Sequence, residues 1–173
     1  VEVDNQQINL TRFNIRFPEK RPFFLENSGL FTVGASAGGG FSTGDLDLFF
    51  SRRIGLDDSG NLVPILGGGR LSGKTNGYNV GLLNMQTDAV GRSPGNNFTV
   101  ARTSRELRNR SSIGAMFINR SATGSLARPD DWNRTFGTDA RVGIGEHVSL
   151  AGFAARTQTP GLHGREYAWN IDS

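Results

Sequence analysis

The residues with the clearest chemical spelling are Gly68, Gly69, Arg70, Leu71, Ser72, Gly73, Lys74 and Thr75, which fit the phosphate-loop pattern G-x-x-x-x-G-K-[ST]. An apolar run from Leu62 to Leu66 precedes them. Phosphate binding needs backbone amides wrapped around the anion. It also needs a helix opening at Lys74 and Thr75 with its positive end toward the charge. The residues that follow, Asn76, Gly77, Tyr78, Asn79, Val80 and Gly81, are poor helix formers. No later apolar strand ends in an Asp suited to magnesium. The motif reads instead as a Gly-rich strand entering a hairpin turn at Thr75 and Asn76, and no nucleotide is expected.

The other reactive residue types are thinly spread. His147 and His163 have no second His and no carboxylate at metal-ligand spacing. Asp57, Asp58, Gly60 and Asn61 resemble part of a calcium loop but lack its later Glu, so a plain turn is expected there. No Ser lies in a G-x-S-x-G elbow, and the absence of Cys removes disulfides and Cys-based zinc sites. No cofactor, no metal and no identifiable catalytic residue follow from the sequence.

Arginine is the abundant charge. The chain has 19 basic and 16 acidic side chains, a net charge of +3, and only Lys20 and Lys74 as lysines. Arg52 and Arg53 follow the pair Phe49 and Phe50, and Arg70, Arg102, Arg120 and Arg141 recur at wide intervals. Such scatter does not make the concentrated patch that nucleic acid requires. On a strand, each of these arginines must reach water or a carboxylate. The expected arrangement is a polar inner surface with ion pairs to residues such as Asp139. A ladder of this kind would also attract anionic solutes.

The elements that must hold these side chains are strands. Hydrophobic residues are 36% of the chain, Gly numbers 24, and Phe supplies 12 of the 16 aromatics. No run of about 18 apolar residues exists, so a membrane helix is not expected. A membrane-spanning strand needs only about 10 residues, of which every second one faces lipid. Strands are predicted near 45–54, 62–73, 77–87, 97–106, 111–121, 134–143, 147–157 and 166–173. The alternation is clean after Arg134: Phe136, Thr138, Ala140 and Val142 share one face, and Gly137, Asp139 and Arg141 the other. In the last strand Tyr167, Trp169 and Ile171 oppose Ala168, Asn170 and Asp172. Elsewhere it blurs. Met116 and Ile118 oppose Ile113, Ala115 and Phe117, and Phe153 falls among small polar neighbours.

The predicted connections alternate short and long. Turns at 75–76, 108–110 and 145–146 are short, and loops at 88–96, 122–133 and 158–165 are long. Outer-membrane barrels have this asymmetry, with short periplasmic turns and long extracellular loops. By that phase the long loops, and the turn from Leu56 to Asn61, face outward. Tyr78, Phe98, Phe136, Tyr167 and Trp169 fall near predicted strand ends, where interfacial girdles carry aromatics.

The first 44 residues differ from the rest. Pro18 and Pro22 bracket Glu19, Lys20 and Arg21, and Phe23 and Phe24 follow, which predicts an irregular, ordered lead-in. Residues 34–44 are mostly Gly, Ser and Ala, the composition of a flexible connection. The expected organisation is a lead-in or plug over 1–44 and part of an up-and-down barrel over 45–173. The fold class is all-β, an antiparallel meander of about eight strands belonging to a transmembrane β-barrel.

Two stretches carry a family resemblance. One is Gln7-Ile8-Asn9-Leu10-Thr11-Arg12-Phe13 with Phe17-Pro18-Glu19-Lys20-Arg21-Pro22-Phe23-Phe24-Leu25-Glu26-Asn27. The other is Leu48-Phe49-Phe50-Ser51-Arg52-Arg53-Ile54-Gly55 with Val63-Pro64-Ile65. Over residues 1–120 the chain resembles an uncharacterised bacterial family that follows a carbohydrate-binding family-nine-like domain in long secreted proteins. The resemblance implies an upstream β-sandwich and a large barrel of which this chain is the opening part, an internal stretch of a longer precursor. The family has no established reaction. Its recurrent charged residues are matched here by Glu19, Lys20, Arg21, Glu26, Arg52, Arg53 and Arg70, with no assigned role. Glu19 and Glu26 are expected to pair with Arg52, Arg53 or Arg70, bracing residues 12–31 inside the barrel mouth.

The expected function is passage or display at the bacterial outer membrane, with outer-membrane lipid as partner and glycans reached through the upstream domain. Two other classes fit the same residues. One is a membrane-associated hydrolase with its site in loops or lumen, where Asp130 and Asp131 are the carboxylates to test. The other is a soluble all-β binding module.

Overall fold

A computed structural model describes residues 19–26, 28–31, 33, 48–57, 60–145, 148–164 and 166–172. Seven strands form among them: β1 (Ile65–Thr75), β2 (Tyr78–Thr87), β3 (Gly95–Glu106), β4 (Ser112–Thr123), β5 (Trp132–Ile144), β6 (Val148–Gln158) and β7 (Tyr167–Asp172). They make one open antiparallel sheet in the order β1-β2-β3-β4-β5-β6-β7, each strand bonded to its neighbour in sequence. Six of them run 10 to 13 residues. That is about twice the usual strand length in globular proteins.

The connections sort by length onto opposite ends of the sheet. Residues 76–77, 107–111 and 145–147 close one end, and 88–94, 124–131 and 159–166 close the other. The first turn is Asn76 and Gly77, with φ of 48° and 77°. Left-handed angles at both central residues match the right-handed twist of the flanking strands, which is why Asn-Gly closes two-residue hairpins. The turn therefore sits one residue beyond the predicted pair. Lys74 and Thr75 end a strand, and no helix opens there.

Of the strand predicted at 45–54, the described residues 48–54 form none. Leu48, Phe49 and Phe50 are irregular and Ser51–Arg53 is a 3₁₀ turn. This segment, a short helix α1 (Pro22–Leu25) and a second 3₁₀ turn (Ser28–Phe31) lie on the inner face of the sheet. There Phe24, Phe31, Val33 and Ile54 bury themselves with Leu83, Met85, Val100 and Met116, with Leu48, Phe49, Phe98, Ile118 and Phe153 packed around them. Burial of each large apolar side chain contributes about 1.5–3 kcal/mol. This packing explains the blurred alternation: Met116, Ile118 and Phe153 are apolar because the lead-in covers them. Phe98 belongs to the same cluster, not to a girdle. Gly137 makes room for the cover, since a Cβ there would come within 2.6 Å of Leu48 Cδ1. Residues 12–18 and 34–47, which include the first part of the predicted brace and the Gly-rich connection, lie outside the described residues.

Candidate functional site

The inner face holds two polar arrangements, one made by the lead-in and one by the sheet alone. In the first, the Glu19 carboxylate folds back on its own chain. Its Oε1 accepts from the backbone amides of Lys20 and Arg21, at 3.1 and 3.0 Å, and from Arg21 Nε at 2.9 Å. Its Oε2 accepts from Arg21 Nη2 at 2.8 Å and from the Ser51 hydroxyl at 2.7 Å. Arg21 in turn donates to the carbonyls of Ile54 and Ser51, at 2.7 and 2.9 Å, and its guanidinium lies 4.2 Å from the Phe24 ring centroid. Pro22 opens α1, where its missing N–H costs nothing. The result is a clamp between the Pro-rich lead-in and the turn at Ser51–Arg53.

Burial pushes the Glu19 carboxyl up, but the hydrogen bonds from Arg21 and Ser51 outweigh it and hold the group at about 2, below its ordinary 4.5. The clamp is thus a fixed anion among fixed donors at neutral pH.

A second clamp ties α1 to the sheet. Arg70 on β1 donates Nη1 to the carbonyls of Phe23, at 2.6 Å, and Glu26, and Nη2 to the Glu26 carboxylate at 2.6 Å. A cation here also meets the negative end of the short helix. The expected Glu26–Arg70 pair is therefore formed, and Glu19 is held by Arg21 and Ser51. Lys20 precedes α1, and Arg52 and Arg53 lie in the 3₁₀ turn beside Ser51.

The sheet's own arrangement is the pair Arg102–Asp139. Arg102 on β3 reaches across β4 to Asp139 on β5, Nη1 to Oδ1 at 2.5 Å and Nη2 to Oδ2 at 2.9 Å. The strand between them carries Gly114 at the crossing point, and a Cβ there would stand 2.8 Å from the guanidinium carbon. Arg102 is 7% exposed. Beside the pair lies a cavity of about 470 Å³ lined by Asn79, Ser104, Glu106, Arg110, Ser112 and Arg141 among others. Lys74 and Glu106 pair at 2.6 Å at its edge. Arg120 meets Asp131 at 2.5 Å, and Asp130 pairs with Arg128 at 3.0 Å, so both candidate hydrolytic carboxylates are engaged in ion pairs.

The remaining candidates are local. Asp57 accepts from the Asn61 backbone amide at 2.7 Å and from its side chain at 3.0 Å, closing the turn between Leu56 and Leu62. His163 lies 3.5 Å from Glu166 on an exposed loop. His147 and Asp58 lie outside the described residues.

The clamps are built from the stretch that a family profile recognises. Residues 1–108 match the family described as Domain of unknown function (DUF5916). The chain belongs to this family. In DUF5916 terms the match takes in both clamps, β1, β2 and β3 with Arg102, while Asp139 lies beyond it. No curated protein and no solved structure matches the chain.

The outer face is unlike the inner one. Its large side chains stay exposed: Leu71, Val80, Leu82, Ile113, Phe136, Val142, Ile144, Val148, Leu150, Trp169 and Ile171, with Trp169 at 74% and Leu71 at 67%. Among the described strand residues three arginines share this face and no carboxylate does, while Glu166, just before β7, meets Arg156 at 3.8 Å. Each arginine stands over a ring: Arg105 over Tyr78 at 4.8 Å, Arg134 over Trp132 at 4.6 Å, and Arg156 over Tyr167 at 5.4 Å. The first pair lies at the short-turn end and the other two toward the long-loop end. Sequence reasoning placed Tyr78 and Tyr167 correctly near strand ends but did not see their arginines. The signal was available, because Arg134 follows Trp132 by two residues on one strand face.

Proposed function

We propose that the sheet is part of a transmembrane β-barrel in a bacterial outer membrane, its lumen braced by the lead-in, serving passage or display. One observation carries the reading: large apolar side chains stand exposed along the outer face, and the carboxylates of the described strands are all turned to the other side. A soluble sheet sorts its residues the opposite way. Contiguous exposed apolar surface on this scale marks a face that meets something other than water.

Three further features support it. The strands have the length needed to cross hydrocarbon. On β5 the outer residues from Phe136 to Ile144 cover about 27 Å along the strand at about 3.4 Å per residue. A barrel tilt of about 40° reduces this to about 20 Å, near the height of a lipid-facing band. Aromatic–arginine pairs stand toward both ends, at interfacial depth. The open edges β1 and β7 would need further strands to pair with, because hydrocarbon offers no partner for their N–H and C=O groups. The link to glycans rests on the resemblance to proteins with an upstream carbohydrate-binding domain.

The test is partition. The chain should enter phospholipid vesicles, resist carbonate extraction and show β-structure there. A chain that remains monodisperse and folded in water without detergent would remove the proposal in favour of a soluble module. Planar-bilayer conductance then separates passage from display, with an increase expected when Arg70→Ala loosens the brace.

A further inference from the structure

One block of the outer face does not suit hydrocarbon. Asn84, Thr99, Asn119 and Arg134 stand opposite one another across β2, β3, β4 and β5. The next row toward the long loops holds Gln86, Asn97 and Trp132. The amides are linked laterally: Asn84 donates to Asn97 at 3.1 Å and to Thr99 at 2.9 Å, and Asn97 donates to Gln86 at 3.2 Å. Arg134 Nε donates to Asn119 Oδ1 at 3.3 Å, and the guanidinium lies 4.6 Å from the Trp132 ring centroid. No carboxylate pairs with Arg134 among the described residues.

Primary amides offer two donors and a two-lone-pair acceptor each, so these contacts leave several groups unused. Burying them in hydrocarbon would be costly. The same face at the short-turn end carries Val142, Ile144, Val148 and Leu150, all apolar and exposed. The polar block is thus confined to one end, about 15 Å across four strands. It joins a cation lacking an acid, a row of hydroxyl-matching amides and an indole.

We propose that this block binds the phosphorylated sugar headgroup of a membrane glycolipid. Arg134 holds the phosphate, the amide rows meet the sugar hydroxyls, and Trp132 borders the apolar side of the ring. The inference rests on the barrel reading and assigns the block to the leaflet on the long-loop side. Charge complementarity selects the occupant, because Arg134 carries a positive charge that no carboxylate of the described residues pairs, whereas Arg156 on the same face meets Glu166 at 3.8 Å.

The full chain in neutral detergent micelles provides the test, after micelle partition has been established. Three additives are compared by thermal shift and titration: a lipid with a phosphorylated diglucosamine headgroup, the same lipid dephosphorylated, and inorganic phosphate. The phosphorylated lipid should raise Tm, and the other two should shift it little. Arg134→Gln should weaken binding about tenfold, the worth of a charge-assisted contact, read as the lipid-induced rise in Tm over each variant's own lipid-free value. Asn119→Ala should weaken it less. Equal shifts by both lipids, a full effect from inorganic phosphate, or unaltered binding by Arg134→Gln would each overturn the site. So would a detergent-resistant dimer that Arg134→Gln dissociates, since a second copy would then cover the block. In all of these the chain still partitions into micelles, so the barrel reading survives. Failure to partition at the first step would sink both.

Discussion

The two faces of the sheet share one backbone and alternate residue by residue, yet they handle charge by opposite means. On the inner face carboxylate meets guanidinium directly, as in Arg102–Asp139, Arg70–Glu26 and the Lys74–Glu106 pair beside them. On the outer face Arg105, Arg134 and Arg156 lie against aromatic rings, and the centre of the face is apolar. Of these only Arg102–Asp139 is largely buried at both partners, and such a pair needs mutual geometry more than it needs water. An arginine on a ring at the edge of an apolar band keeps its head toward polar surroundings while its stem covers apolar surface. The difference teaches that exposure to solvent in an isolated chain does not identify the polar face. Here the inner face holds the strand carboxylates, and its apolar part is supplied with a cover by the chain itself.

The largest expected break of this contrast is on the inner face. Asp139→Ala leaves Arg102 buried without its acid and should cost about 3–5 kcal/mol, measured by urea titration in detergent micelles. Arg102→Met combined with Asp139→Leu should recover most of that loss. If the single variant unfolds at the wild-type urea midpoint, the inner pair contributes nothing. Next comes the centre of the outer face. Leu82→Arg should cost about 2–4 kcal/mol in vesicles if that row faces the bilayer midplane. In water the same change at an exposed site should stay within about 0.5 kcal/mol. A vesicle value as small as the water value would remove the lipid-facing assignment. Smaller again is Gly137→Ala, which drives a methyl toward Leu48 Cδ1. It should cost about 1–3 kcal/mol through overpacking, with a loss of amide protection at residues 48–54 that Leu48→Ala reverses.

Much of the sheet was legible because a period of two is hard to imitate. In β5 the predicted split of Phe136, Thr138, Ala140 and Val142 from Gly137, Asp139 and Arg141 is the split observed. The order of short and long connections was legible from Gly, Pro and Asn content. The run Leu48-Phe49-Phe50 was read as strand and is instead a segment laid on the sheet, because a short apolar run has the same composition in either place. The Glu26–Arg70 pair was one of several acid–arginine pairings expected among the charged residues that the family resemblance singled out. The Arg21 contacts to the carbonyls of Ser51 and Ile54 were not, since a backbone acceptor leaves no mark in the sequence. Nor could the sequence show that Gly114 is the gap through which Arg102 passes, although an isolated Gly in a strand pattern does signal close approach.

The finest test lies in the lead-in that covers part of the inner face. Glu19 is held at about 2 by donors that an unfolded chain lacks, against an ordinary 4.5. A depressed folded-state pKa contributes stability that is fully present above 4.5 and is lost as pH falls toward 2. Docking of the lead-in should therefore be flat from neutral pH down to about 5 and weaken below it. The amides of Lys20 and Arg21, which donate to Glu19, should lose about tenfold in hydrogen-exchange protection by pH 2.5, after correction for intrinsic rates. Glu19→Gln should lower protection at neutral pH and abolish the acid-dependent part, while strands β5 and β6 keep theirs. Acid loss that is equally large in Glu19→Gln would place the titrating group elsewhere. Acid loss shared by every strand would mean that the cover and the sheet unfold as one unit, and the contrast between the inner face and its cover would dissolve into a single cooperative structure.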